Sequence, residues 1–295
     1  MDREHTIAER SAPGAHHNEV SRRGFLTRAA LTGAGAVLAP ALLLNAVAGE
    51  ADASLFQFGG KPSVDDQKKM GQQAAQQILK QYKEVHDSRA DTFRKMGERL
   101  VAALPAEDRK WDFTFRVLDS KDVNAFALPG GPMFMYTGLY DLMTTLDGLA
   151  AVTGHEMTHV RLEHWAKAYQ KQQSRDLLLG LGLSIFHIGR TGQSVAGMFD
   201  SFISLKYSRG EEDQADAGGL ANMVAAGFNP EGMIQLFQVL QKVSGNGGGL
   251  GGDMLSNHPL TSTRINHAKQ RIAALKGRTF PPLTPLVGSP AARAV

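Results

Sequence analysis

Polar and apolar positions follow a helical period over 63–104, where Met70, Ala74, Ile78 and Tyr82 recur at three- to four-residue spacing until Pro105 ends the run. The period then changes. Residues 113–118, Phe-Thr-Phe-Arg-Val-Leu, read as a strand, with Asp119-Ser120-Lys121-Asp122 as its turn. Asn124 to Leu128 make a second short strand, Pro129-Gly130-Gly131-Pro132 a tight turn, and Met133 to Thr137 a third strand. A long helix is predicted from about 145 to 169, with Thr144 and Asp147 spaced as a capping pair. Gly148 and Gly154 weaken it by up to about 1 kcal/mol each against alanine, unless close helix packing offsets the cost.

Two apolar stretches follow, 177–188 and 195–205, separated by a Gly-Arg-Thr-Gly break. Both fall short of the roughly 20 residues of a bilayer span, which favours a buried helical hairpin over peripheral membrane contact through 177–205. A helix over 208–226 is expected to stop at Gly227, and Asn229-Pro230 opens the next. Residues 244–252 form a Gly-rich flexible linker. Asn257-His258-Pro259 and a last helix containing Arg264 follow, and the Pro-rich tail from Phe280 is expected to be loose. The sum is a mostly helical α+β domain with a small sheet, and no internal repeat is visible.

The N-terminus reads as an address. Ser21-Arg22-Arg23-Gly24-Phe25-Leu26 precedes an apolar run from Ala29 to about Ala48, and small residues stand at signal-peptidase spacing as Ala46-Val47-Ala48 or Ala51-Asp52-Ala53. Paired arginines followed by Phe-Leu point to twin-arginine export to a periplasmic or otherwise extracytoplasmic site, with an uncleaved N-terminal anchor as the alternative. The expected organisation is a signal over 1–48, a catalytic domain over 55–276 and a flexible tail over 277–295.

Composition narrows the chemistry. The chain has 295 residues, 42% hydrophobic and 21% charged, which suits one sizeable globular core. The net charge of +3 includes no basic block long enough for a nucleic-acid footprint. There is no cysteine, so disulfides, a lipid anchor on cysteine and thiolate metal ligands are all excluded. A metal here must be held by histidine and carboxylate.

His155-Glu156-Met157-Thr158-His159 supplies such a set. Residues four apart share a helix face, so His155 and His159 can aim two imidazoles at one ion. Glu156, beside the first, can reach a water that the metal activates and take its proton as it attacks a peptide carbonyl. Zinc requires a third protein ligand and an open position. Leu162 and Trp165 stand where a metzincin has its Gly and third His, so that class fails. The best carboxylates are Glu212 and Asp216, four apart on the 208–226 helix. One of the two can bind the metal while the other orients a ligand histidine through its second nitrogen.

Four segments in order resemble the HtpX- and BepA-like zinc metallopeptidases, number 48 among the metallopeptidase families. They are Asn124-Ala125-Phe126-Ala127-Leu128-Pro129-Gly130-Gly131, the H-E-x-x-H at 155–159, S-R-x-x-E-x-x-A-D from Ser208 to Asp216, and His258-Pro259 with Arg264. The resemblance covers roughly 65–275 and implies a zincin-like fold with one zinc ion on His155, His159 and Glu212, supported by Asp216. It implies that Asn124, Ala125, Phe126 and Ala127 belong to an edge strand that pairs with an extended polypeptide, a mode that makes little demand on sequence. It also implies that His258 lies near the metal, either donating to the oxyanion or latching the open coordination position. Arg264 stabilises the oxyanion in one reading and pairs with Glu212 or Asp216 in the other. The absence of spanning helices brings the chain nearer the exported soluble members, without the helical repeats that often follow the protease domain there.

The function expected is a zinc-dependent endopeptidase acting on misfolded or misassembled cell-envelope proteins. The alternative is a chaperone-like client binder whose zinc site is latched by His258. An inert structural zinc is disfavoured, because such a site needs no base like Glu156 and is closed by a fourth ligand. His164, off the ligand face, reads as structural. His86, His187, His267, Asp200 and Tyr207 have no role assigned, and Phe126, Met133, Phe134 and Met135 read as core.

Overall fold

The helical run over 63–104 divides into α1 (Val64–Gln81) and α2 (Ser88–Ala102) in a computed structural model that describes residues 60–178, 202, 205–245 and 252–293. Ser63 and Asp66 close a capping box on α1, and Asp87 caps α2 through the Arg89 amide. Between the helices lies β1 (Glu84–Val85), too short for strand alternation to show in the sequence.

The three expected strands form as β2 (Thr114–Leu118), β3 (Ala125–Ala127) and β4 (Pro132–Tyr136). The sheet order is β1-β2-β4-β3, with β2 and β4 parallel and the other pairs antiparallel. The two-residue period sorts the side chains. Phe115, Val117, Ala125, Met133 and Met135 join a core with Phe93, Met96 and Leu100 of α2. Leu118, Phe126, Leu128, Phe134 and Tyr136 join a second core with Met70, Ala74 and Ile78 of α1. The sheet is thus covered on both faces, and Phe126, Met133, Phe134 and Met135 are core, as expected. β3 is left at one edge.

After α3 (Thr137–Leu142) comes α4 (Leu146–Arg161), buried from Asp147 to Val160. Its cap is Thr145, whose hydroxyl accepts from the Gly148 amide at 3.1 Å, rather than the expected pair of Thr144 and Asp147. Asp147 instead accepts from the Asn229 and Thr284 amides, each at 2.7 Å. The single helix expected over 145–169 is also broken. Glu163 takes a left-handed conformation, φ 55°, and α5 (His164–Leu178) starts directly after it. That conformation is uncommon outside glycine. Here Lys61 and Gln67 hold the Glu163 carboxylate at 2.8 and 2.9 Å, so the turn is set by distant residues.

Ser208 and Glu211 form a capping box on α6 (Arg209–Ala225), which ends ahead of Gly227 at φ 76°. α7 (Glu231–Gly245), α8 (Gly252–Asn257) and α9 (Ser262–Ala273) complete the helices. α4 packs most extensively against α6. The two backbones meet at glycines: a Cβ on Gly154 would lie 3.0 Å from the Gly219 carbonyl oxygen. Close helix contact therefore explains the glycine that weakens α4 locally.

The Pro-rich tail, expected to be loose, is tied to the start of α4. Leu146 donates to the Thr284 carbonyl, Leu286 donates to that of Thr144, and the Tyr140 hydroxyl donates to that of Val287. Leu286 and Ser289 are buried. No helix among the described residues is long and apolar enough to cross a membrane. The signal segment 1–48, His187, Asp200, most of 177–205 and the centre of the Gly-rich linker lie outside the described residues.

Candidate metal centre

One turn apart on α4, His155 and His159 bring their Nε2 atoms within 3.1 Å of each other. From α6, Glu212 places Oε2 3.6 Å from His155 Nε2 and Oε1 3.5 Å from His159 Nε2. His258, just beyond α8, adds Nδ1 at 3.3 Å from His155 Nε2 and 2.9 Å from Glu212 Oε1. All four residues are buried, and the donor atoms lie within 4.8 Å of one another. Ligands about 2.0–2.1 Å from a tetrahedral zinc stand about 3.3 Å apart, so the spacing of this set fits the ion. Nitrogen and carboxylate lone pairs converging in a dry interior form a set that could hold a metal ion.

The outward nitrogens are held from behind. Asp216 Oδ1 accepts from His155 Nδ1 at 2.9 Å, which leaves His155 Nε2 bare and facing the centre. Arg264 grips Asp216 through Nε and Nη2, both at 2.7 Å, and its Nη1 lies 2.6 Å from Glu212 Oε2. Of the two expected roles for Arg264, the geometry is that of carboxylate pairing. Burial pushes the Asp216 carboxyl up, but Arg264 and His155 outweigh it and hold the group below its usual range. Glu212 is likewise held low, because neighbouring histidines outweigh burial.

Glu156 lies within the same cluster. Its carboxylate is buried, Oε1 meets no hydrogen-bond donor, and His258 Nε2 stands 3.6 Å away. Burial holds this carboxyl above its ordinary range, against the pull of His258, His155 and the Ala127 backbone amide. A base that is dry, raised in pKa and adjacent to the histidine and carboxylate cluster is suited to taking a proton and giving it back. Around His258, burial disfavours charge, but the carboxylates of Glu156 and Glu212 prevail and raise its pKa.

The edge strand reaches this cluster at Ala127. The Asn124 carbonyl accepts from Tyr136 and the Leu128 amide donates to Pro132, so the even-numbered residues bond to β4. The backbone groups of Ala125 and Ala127 accordingly point the other way, toward the free edge.

Two neighbours of His159 had no site role in the sequence reading. Tyr207 stacks on its ring with centroids 3.9 Å apart, and burial together with Glu156 and Glu212 raises its phenol pKa. His164 Nδ1 lies 2.8 Å from His159 Nδ1, and its Nε2 lies 3.1 Å from Gln214 Oε1. The signal available for Tyr207 was its place directly before the Ser208 cap. For His164 a continuous helix predicted the wrong direction, and no glycine marked the turn. His267 pairs with Asp213 at 2.8 Å on the far side of α6, and His86 is exposed.

Residues 87–272 match the model of peptidase family M48. The beta-barrel assembly-enhancing protease of Yersinia pestis is 29% identical over 229 residues, covering 74% of this chain and 46% of that protein. Metalloprotease LoiP of Escherichia coli is 32% identical over 162 residues, covering 54% and 63%. The mitochondrial metalloendopeptidase OMA1 of Schizosaccharomyces pombe is 27% identical over 213 residues, covering 70% and 61%. The chain thus spans less than two thirds of the length of each of these three relatives. The family match runs over more than half of the chain and through the edge strand, the helices that carry His155, His159 and Glu212, and the His258 segment, and on that ground the chain belongs to peptidase family M48.

Proposed function

We propose that this protein is an exported zinc-dependent endopeptidase that hydrolyses misfolded or misassembled cell-envelope proteins. The observation that carries the reading is the convergence of His155, His159 and Glu212 at zinc-ligand spacing beside the buried, donorless Glu156 oxygen. His155, His159 and Glu212 hold the ion, and Asp216 orients His155. Zinc supplies Lewis acidity there, which acidifies water and polarises a carbonyl. Glu156 takes the proton of the attacking water and passes it to the leaving amine. Arg264 keeps Asp216 ionised and holds both Asp216 and Glu212 in place. A substrate segment pairs with the outward backbone of Ala125 and Ala127, on either side of Phe126 in β3 and just after Asn124, and so lies across Glu156. The paired Arg22 and Arg23 support twin-arginine export, and replacing both with Lys is expected to abolish it.

A second reading follows from His258, whose Nδ1 belongs to the same donor set. As a fourth ligand it closes the open position and leaves a client-binding protein with a latched site. The deciding experiment is casein cleavage by the chain from residue 49, with and without Glu156→Gln, alongside metal analysis. Cleavage by the wild type, lost in the variant with one zinc retained, supports the protease. Failure of the zinc-loaded wild type to cleave supports the latched binder, and His258→Ala then tests for release.

A further inference from the structure

The two ligand histidines of α4 are supported differently. His155 donates to an anionic carboxylate, Asp216, whereas His159 meets another imidazole, His164. The proton positions on the second side follow from chemistry. Gln214 Oε1 can only accept, so His164 Nε2, 3.1 Å away, carries a proton. A neutral His164 then has a bare Nδ1, which must accept from the atom 2.8 Å from it, His159 Nδ1. His159 Nε2 is left bare and turned toward Glu212. Reversing the Gln214 amide would run the chain backwards: its NH2 would donate to His164 Nε2, His164 would donate from Nδ1, and the His159 proton would sit on Nε2. That arrangement cannot bind a metal.

We propose that His164 and Gln214 form a neutral hydrogen-bond relay that fixes His159 in the tautomer competent to bind the metal. The inference rests on the zinc reading of the site. The relay is built by the left-handed turn at Glu163, which folds the first residue of α5 back onto α4. Gln214 comes from α6, between Glu212 and Asp216, so that helix contributes one ligand and a support for each histidine. Tyr207, stacked on His159 with ring centroids 3.9 Å apart, fixes the His159 ring plane. His164 and Gln214 are positioning residues: neither is part of the donor set around the ion.

The test uses the chain from residue 49 labelled with 15N-histidine, and zinc affinity measured by competition with a chromophoric chelator. In metal-free protein, long-range proton–nitrogen spectra are expected to place the His159 proton on Nδ1. His164→Phe keeps a ring but removes the acceptor, and is expected to shift proton population to Nε2 and weaken zinc binding roughly 10–100-fold. His164→Asn restores an acceptor near the Nδ1 position and is expected to recover most of that loss. A wild-type proton on Nε2, or zinc affinity unchanged within twofold in His164→Phe, overturns the relay. Affinity that falls equally in the Phe and Asn variants, in step with the melting temperature of the metal-free proteins, also overturns it in favour of a packing role. Absence of zinc binding by the wild type would instead refute the zinc reading, and the tautomer would still be read from the metal-free spectrum.

Discussion

Gly219 on α6 and His155 on α4 are in backbone contact: a Cβ built on Gly219 would sit 2.7 Å from the His155 nitrogen. The distance between the helices that carry His155, His159 and Glu212 is therefore set by the absence of a side chain. Gly219→Ala must push α6 away from α4 and carry Glu212 out of reach of the histidines. The expected cost is about 1–3 kcal/mol of stability, the range for overpacking, together with loss of bound zinc. Gly210→Ala on the same helix meets nothing within 4 Å and should be neutral or slightly stabilising. Thermal melts and metal analysis of the two variants check this.

Removing Asp216 leaves His155 free to rotate and to carry its proton on either nitrogen. It also takes two hydrogen bonds from the buried Arg264 guanidinium, which keeps only Glu212 and backbone carbonyls as partners. Asp216→Ala is expected to lower zinc affinity roughly 10–100-fold, the usual effect of losing a support behind a histidine ligand. Stability falls as well, by about 3–5 kcal/mol, because a buried ion pair is broken from one side. Chelator competition and urea denaturation measure the two effects separately.

The parts legible in the sequence were those with a local signature. The strands at 114–118, 125–127 and 132–136 alternate or carry turn signals, and the Ser208 capping box starts α6 where polar spacing placed it. The histidine pair on α4 needed only the four-residue rule. What stayed hidden depends on distant partners. The break at Glu163 is held by Lys61 and Gln67, roughly one hundred positions earlier. The choice of Thr145 over Thr144 as cap follows from Asp147 being claimed by Asn229 and Thr284. The tail is ordered because the start of α4 offers it backbone partners. His164 became part of the site through the Glu163 turn, which no residue type announced.

Acid should weaken the fold through Asp216 in a defined direction. Its folded pKa is depressed by Arg264 and His155 in spite of burial. Above the unfolded aspartate value, about 3.9, the carboxylate is charged in both states and its stabilising contribution is complete. As pH falls through the lower folded value the unfolded chain binds the proton first, and that contribution disappears. In urea denaturation of metal-free protein, stability is expected to drop on acidification below about pH 4. The Asp216→Asn protein should be less stable at neutral pH and show a shallower drop over that window. Parallel pH profiles for the two proteins would rule out Asp216 as a source of the acid sensitivity.

The proposed pairing of substrate with β3 can be tested without touching the metal. The Ala127 amide points away from β4, so proline at that position leaves the Leu128–Pro132 and Asn124–Tyr136 ladder bonds intact. Extended Phe126 before it is compatible with a following proline. Ala127→Pro removes the N–H that hydrogen-bonds the Glu156 carboxylate and places a ring where a peptide backbone would approach, so Ala125→Pro, which leaves that hydrogen bond in place, is measured beside it. The expected result is at least a roughly tenfold loss in kcat/KM on casein, with zinc content unchanged and the melting temperature little altered. A melting temperature that fell with activity would mean that the sheet had been damaged, and a loss in Ala127→Pro with full activity in Ala125→Pro would trace the effect to the Glu156 hydrogen bond. Full activity in a folded, zinc-loaded Ala127→Pro protein would exclude strand addition at this edge and place the substrate backbone elsewhere on the Glu156 side of the site.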